Sequence, residues 1–245
     1  MTKATIGYLS NKVNGISIKS TYKAHASNYT NYKERNIRKI IIHYTGNKKD
    51  TAKANAKYFA NNRSLGASAH FFVDETSIFQ SVEIRDVAHH AGNWLVNCES
   101  IGIEMCTSGD YKVSAKTKTN TAYLVADLCK RYGISADEVD KCVLRHYDIT
   151  GKNCPAQMAT KNNGEWAALK KLVKDILKPK STSYKVKVTA SALNVRKGAG
   201  VSYSIVKTLK KNATVTITES KKVGSSTWGK ISGSGWINLG YTKKV

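Results

Sequence analysis

The hydrophobic positions of this chain fall into two textures, and the change between them lies near residue 179. In the first part, β-branched runs alternate with stripes at helical spacing. Arg38 to Thr45, with Ile40, Ile41 and Ile42 in succession, reads as a buried strand, and the stretch from about Asp50 to Asn62 reads as a helix. Ala69 to Val73 and Ser77 to Val82 flank the turn-forming Asp74 to Thr76 and predict a hairpin, with a further strand at Ile101 to Met105. Leu124, Val125, Leu128, Cys129 and Tyr132 mark a second helix, and Cys142 to His146 reads as a strand or an extended segment. Trp166, Leu169, Leu172, Val173, Ile176 and Leu177 recur at spacings of three and four, one stripe of an amphipathic helix. This alternation predicts an α/β domain with a mixed central sheet flanked by helices.

From Pro179 onward the helical stripes stop. Short runs at Tyr184 to Val188, Ser204 to Thr208 and Ala213 to Ile217 are separated by Gly, Ser and Asn, which predicts a small all-β barrel. The expected division is therefore a first domain over 1–178, a linker at 179–183 and a second domain over 184–245. A length of 245 residues accommodates two such domains and not three.

Composition narrows the class. Hydrophobic residues make up 41% but never run to the roughly 18 to 20 in succession that a bilayer requires. Met1 to Ser20 contains no apolar run that could serve as the core of a signal peptide, so the chain is expected to be made in the cytoplasm and held there until another route releases it. Five cysteines, an odd number in a chain long enough to build a core, predict reduced thiols rather than a disulfide framework. The net charge of +23 draws the molecule toward polyanions. It is concentrated in the tail, where residues 180–245 carry thirteen Lys and Arg against the one acid Glu219. Charge alone would suit nucleic acid, an anionic membrane or a cell wall, but no nucleic-acid motif accompanies it.

Chemistry is concentrated at Arg145 to Pro155, where His146 and Cys154 stand eight residues apart across an expected loop. Imidazole and thiolate are both good zinc ligands, and catalytic zinc sites use three protein ligands with a fourth place for water. His43, at the C-terminal end of the best-defined strand, is placed to be the third. Taken singly, each of these residues also reads as a hydrogen-bonded histidine at the edge of a core or an inert buried cysteine.

The blocks Ile40 to His43, Ser68 to Val73, Ala88 to Trp94, Ser100 to Glu104 and His146 to Cys154, in that order, resemble the zinc-dependent N-acetylmuramoyl-L-alanine amidases of the type-2 family, relatives of the peptidoglycan recognition proteins. The resemblance covers about His43 to Leu177. It implies His43, His146 and Cys154 as ligands of Zn2+, although some members use Asp in the place of Cys154. It also implies Glu104 as general base and Lys152 as the cation that stabilises the oxyanion. Where some members carry a Tyr this chain has Ala69, which leaves the proton transfer to Glu104. By family position His90 and Trp94 are expected to line the substrate groove, while His70 is expected to serve in the core or behind the site. Asp148 is expected to orient His146 or to cap the loop. His25 has no expected role, and Cys98, Cys106, Cys129 and Cys142 are expected as small buried hydrophobes.

The tail, with Ala192 to Gly200, Thr227 to Lys230 and Gly235 to Tyr241, resembles a bacterial SH3-type domain. The joint resemblance implies an enzyme that cleaves the amide between N-acetylmuramic acid and L-alanine of the stem peptide. Its expected partners are peptidoglycan and anionic wall polymers, with neither nucleic acid nor membrane. Its expected setting is that of a phage endolysin released through a holin pore or an autolysin exported by another route. Two other readings stay open at this point: a cysteine peptidase with Cys154 as nucleophile and His146 as base, and a wall-binding protein without catalysis.

Overall fold

The computed structural model describes residues 3–178 and 183–245, so the expected linker, apart from Ser183, lies outside the described residues. Two compact units are present, Met1–Lys178 and Pro179–Val245, each with a hydrophobic core of its own.

Residues 3–36, for which the hydrophobic pattern predicted no element, include the short strands β1 (Lys3–Ala4), β2 (Lys12–Val13), β3 (Ile16–Lys19), β4 (Tyr29–Thr30) and β5 (Arg35–Asn36). Runs of two to four residues are too short to show a period. They are defined by distant partners instead: β1 pairs with β5, β3 joins the central sheet, and β4 pairs with β9 (Val87–Ala88).

The predicted strands are β6 (Lys39–Tyr44), β7 (Phe71–Val73), β8 (Ile78–Gln80) and β10 (Ser100–Met105), and the extended segment before His146 is the strand β11 (Val143–Arg145). They form a seven-stranded mixed sheet in the order β11-β6-β10-β7-β8-β3-β2. Strands β11, β6, β10 and β7 run parallel, and β7 and β8 form the antiparallel hairpin.

Helices α1 (Ala52–Asn61), α3 (Ala115–Tyr132) and α6 (Gly164–Leu177) match the predicted stripes. Each begins where a side chain accepts a backbone N–H: Thr51 for α1, Ser114 for α3 and Asn163 for α6. The short helices α2 (Trp94–Glu99), α4 (Val139–Cys142) and α5 (His146–Thr150) were not predicted, having too few residues for a stripe. The segment between His146 and Cys154, expected as a loop, therefore opens with a helical turn.

Strand alternation sorts the two faces of the sheet. Ile40, Ile42, Phe71, Val73, Ile101, Ile103 and Met105 point to one side and join Leu124 and Leu128 of α3 and Trp166, Leu169 and Val173 of α6 in the main core. The intervening positions His43, Gly102, Glu104 and Phe72 point to the other side. There α1 covers only part of the sheet, through Ala52 and Ala56 against Phe72 and Phe79. The chemistry is thus left on the face that no long helix closes.

The second unit is a seven-stranded antiparallel sheet, β14-β13-β17-β16-β15-β12-β18. Its strands are β12 (Tyr184–Val188), β13 (Ala192–Arg196), β14 (Ile205–Lys210), β15 (Thr214–Val223), β16 (Ser226–Ile231), β17 (Trp236–Asn238) and β18 (Thr242–Lys244). Val186, Val188, Leu193, Val195, Ile217, Ile231 and Ile237 fill its core. Trp228 is buried and Trp236 partly so, with the Lys230 ammonium 5.9 Å from the Trp236 ring centre. All five cysteines are free; Cys106, Cys129 and Cys154 are buried, whereas Cys98 and Cys142 are partly exposed rather than sealed in the core as expected. Among the described residues no helix is long and apolar enough to cross a membrane.

Candidate metal centre and cleft

The parallel strands deliver the candidate residues to one end of the sheet. His43 is the fifth residue of β6, and Glu104 stands beside it at the same register of β10. Arg145, the last residue of β11, pairs with Ile42, so His146 emerges next to His43. These are the C-terminal ends of parallel strands, where α/β sheets present their sites.

Cys154 is brought back by the geometry of α5. Asp148 accepts the Arg145 backbone N–H at 2.8 Å and pairs with the Arg145 guanidinium at 2.6 Å, closing the start of the helix. Asp148 therefore caps this turn; it is not the partner of His146. Gly151, with φ +77°, ends the helix in a left-handed conformation open to glycine. The Tyr147 N–H then reaches the Cys154 carbonyl at 2.9 Å. Arg145 is buried and also donates to the carbonyls of Met158 and Thr160, tying the loop to the segment that leads into α6.

The result is a cluster of His43, His146 and Cys154, whose ligand atoms lie within 4.8 Å of one another. His43 Nδ1 is 3.1 Å from His146 Nδ1 and 3.8 Å from Cys154 Sγ. Tetrahedral zinc with ordinary bond lengths would separate two nitrogens by about 3.3 Å and a nitrogen from a sulfur by about 3.6 Å. The donor set and these two distances fit zinc. Burial holds His43 well below the usual imidazole range, reinforced by His90, His146 and Lys152, and burial also lowers His146. Both rings are neutral near pH 7, the form that can donate a lone pair to a cation. Burial pushes the Cys154 thiol up to about 12, with Glu104 adding to the rise and the Tyr44 backbone N–H and Lys152 opposing it.

The cluster lies in a cleft of about 340 Å³ that is also lined by Tyr44, Thr45, Phe59, Glu104 and Lys152. Burial pushes the Glu104 carboxyl up to about 8 against the pull of Lys152, and its Oε2 is buried without a hydrogen-bond partner. Lys152 is exposed on the cleft wall. His90 belongs to the cleft but is only 8% exposed, and its ring nitrogens are turned to His43 at 3.0 Å and Ser100 at 3.2 Å. Trp94 stands outside the cleft lining, 49% exposed, edge-on to His89. His70 is fully buried and accepts the Gly102 N–H, as a residue behind the site. His25 caps a turn through Ser27, far in sequence from every block.

Residues that the sequence did not single out support these. Arg35 is buried without a carboxylate partner, donating to the carbonyls of Ile84, Asn97 and Ser100. Asn97 Oδ1 accepts the backbone N–H groups of His90 and Ala91. Nothing in the local sequence sets Arg35 apart from the surface cations around it. Ser100 and Asn97 lie inside the resembling stretch, but only tertiary contacts reveal their use.

The chain matches the family described as N-acetylmuramoyl-L-alanine amidase over residues 33–157 and the bacterial SH3 domain over residues 191–243. It is 33% identical over 178 residues to the N-acetylmuramoyl-L-alanine amidase CwlL of Bacillus licheniformis, covering 67% of this chain and 47% of that protein. Identity to the amidase BlyA of Bacillus subtilis (strain 168) is 33% over 169 residues, covering 62% and 45%. The chain thus spans about half the length of these relatives. Among solved structures, the catalytic domain of XlyA superposes with a TM-score of 0.55 at 28% identity, covering 64% of this chain and 99% of that one. PlyL superposes with a TM-score of 0.55 at 25% identity, covering 64% and 97%. With more than half of its length inside the amidase match and a cluster of two histidines and a cysteine in the cleft, this chain belongs to the N-acetylmuramoyl-L-alanine amidase family and carries a bacterial SH3 domain after it.

Proposed function

We propose that this protein is a zinc-dependent N-acetylmuramoyl-L-alanine amidase. It cleaves the amide joining the lactyl group of N-acetylmuramic acid to L-alanine of the stem peptide. The observation that carries the reading is the convergence of His43, His146 and Cys154 beside an unpartnered Glu104 carboxyl in one open cleft. Zinc held by these three side chains would supply Lewis acidity to the amide carbonyl and acidify a water. Glu104 takes a proton from the attacking water as the C–O bond forms. It returns that proton to the amine nitrogen as the C–N bond breaks, leaving a carboxylic acid on the lactyl side and a free L-alanine amine. Its raised pKa suits both transfers near neutral pH. The Lys152 ammonium on the cleft wall opposes the negative charge that gathers on the carbonyl oxygen.

Trp94, exposed beside His89 of the cleft lining, offers an aromatic face to a sugar ring. The strongly basic second unit adds attraction to anionic wall polymers. Its groove of Asn194, Arg196, Trp228, Asn238 and Tyr241, of about 400 Å³, is open to wall peptide. This combination suits an endolysin or autolysin. A cysteine peptidase fits the geometry less well, because Cys154 Sγ lies beside His43 and its thiol is held neutral by burial. Mass spectrometry of digested sacculi tests the proposal: new muramic carboxyl and L-alanine amino ends that vanish with a chelator and return with zinc support it. Cleavage between amino acids would overturn it.

A further inference from the structure

The hydrogen bonds behind His43 form a chain whose direction can be read from the backbone outward. The Ser100 hydroxyl lies 2.6 Å from the Val96 carbonyl, which can only accept, so its one proton is committed there. Ser100 Oγ must therefore accept from His90 Nε2 at 3.2 Å. A neutral imidazole carries one N–H, so His90 Nδ1 is bare and must accept from His43 Nε2 at 3.0 Å. His43 Nδ1 is then left bare, facing His146 Nδ1 and Cys154 Sγ.

From this geometry we infer that Val96, Ser100 and His90 form a fixed relay that presets His43 as an Nδ1 metal donor before any ion arrives. His90 is thus a positioning residue. The inference builds on the zinc reading above, but its first link, the proton on His43 Nε2, belongs to the metal-free protein.

The relay is itself held in place. Asn97 Oδ1 accepts the His90 N–H, and buried Arg35 donates to the carbonyls of both Asn97 and Ser100. The His90 ring lies close against β10 at Gly102, where a Cβ would stand 2.5 Å from His90 Cγ. Behind it, His70 takes the Gly102 N–H at 3.0 Å. No side chain fits at 102 without displacing His90. Partners of this kind behind a ligating histidine fix its tautomer, and their loss costs roughly 10- to 100-fold in metal affinity.

Two measurements on the full chain test the relay. Long-range 1H–15N NMR of the metal-free wild type is expected to show His43 protonated on Nε2 and bare on Nδ1; a proton on Nδ1 would overturn the inference. Zinc competition against a chromophoric chelator is expected to give roughly 10- to 100-fold weaker binding for His90→Ala, a smaller loss for Ser100→Ala and partial rescue by His90→Gln. Circular dichroism checks that each variant is folded. Folded His90→Ala with wild-type zinc affinity would also overturn it. A wild-type chain that binds no zinc would remove the metal reading alone, and the NMR result would still decide the relay.

Discussion

His43 and Glu104 sit side by side at one register of the parallel strands β6 and β10, their side chains on the same face of the sheet. Because the pairing is backbone-driven, the spacing between the proposed ligand and the proposed base does not depend on a mobile loop. Chemistry at Glu104 is accordingly separable from metal binding.

Glu104→Gln is expected to retain zinc at wild-type stoichiometry while losing about 10²- to 10⁴-fold in turnover, the range for removal of a general base. Dye release from labelled cell walls measures the rate, and elemental analysis of the purified variant measures the metal. Wild-type turnover in the variant would remove Glu104 from the mechanism.

The same carboxyl gives a pH signature in the metal-free protein. Its folded pKa of about 8 lies above the ordinary 4.5, so between those values the folded chain holds a proton that the unfolded chain has lost. Its contribution to stability is full below pH 4.5 and is lost as pH rises through 8. The buried imidazoles of His43, His70 and His90 act in the opposite sense below pH 6.5, so the comparison of wild type with Glu104→Gln isolates the carboxyl. Urea unfolding with a chelator present is expected to show Glu104→Gln gaining on wild type by on the order of 3 kcal/mol between pH 5 and pH 8. A constant difference across that range would count against a buried, raised Glu104.

Zinc binding should release protons. With the thiol of Cys154 near 12 and both ligand imidazoles neutral, binding at pH 7.5 is expected to expel about one proton from the thiol beyond those that the other groups of the cleft release. Calorimetry in buffers of different ionisation enthalpy measures the total, which should be lower by about one in Cys154→Asp. That variant is also expected to keep some zinc-dependent activity, an outcome closed to an enzyme that uses the thiol as nucleophile.

Arg145→Ala should weaken the site from a distance. The guanidinium is buried between Asp148, the carbonyls of Met158 and Thr160, and the faces of Tyr147 and Trp166. Asp148 retains partial contact with solvent, which reduces the penalty for leaving it unpaired, so a loss of about 2 kcal/mol is expected. Urea denaturation reads the stability, and chelator competition should show weaker zinc binding, since this residue anchors the turn between His146 and Cys154.

Long periodic segments were legible in advance. Ile40 to Ile42 announced β6, and the stripe from Trp166 to Leu177 announced α6, because burial of one face imposes a period on many residues at once. The strands before residue 37 and the three short helices were not legible, since two to six residues carry no period and are fixed by partners far along the chain. The ligand candidates were named from residue type and local pattern, whereas the supporting roles of Arg35, Asn97 and Ser100 were invisible, an arginine or serine having the same local signature on a surface as behind a site.

By itself, the sequence determined which donors were available: two imidazoles, a thiol, a carboxylate and an ammonium, each within a recognisable block and each tied to a strand or to its exit. Only the tertiary structure decided how they face one another. That includes the shared register of His43 and Glu104, the return of Cys154 through α5, and the placement of His90 behind His43 rather than free in the groove. The reason is physical: composition and period are local properties of the chain, but coordination distance and proton position depend on strand pairing and burial among residues up to 111 positions apart.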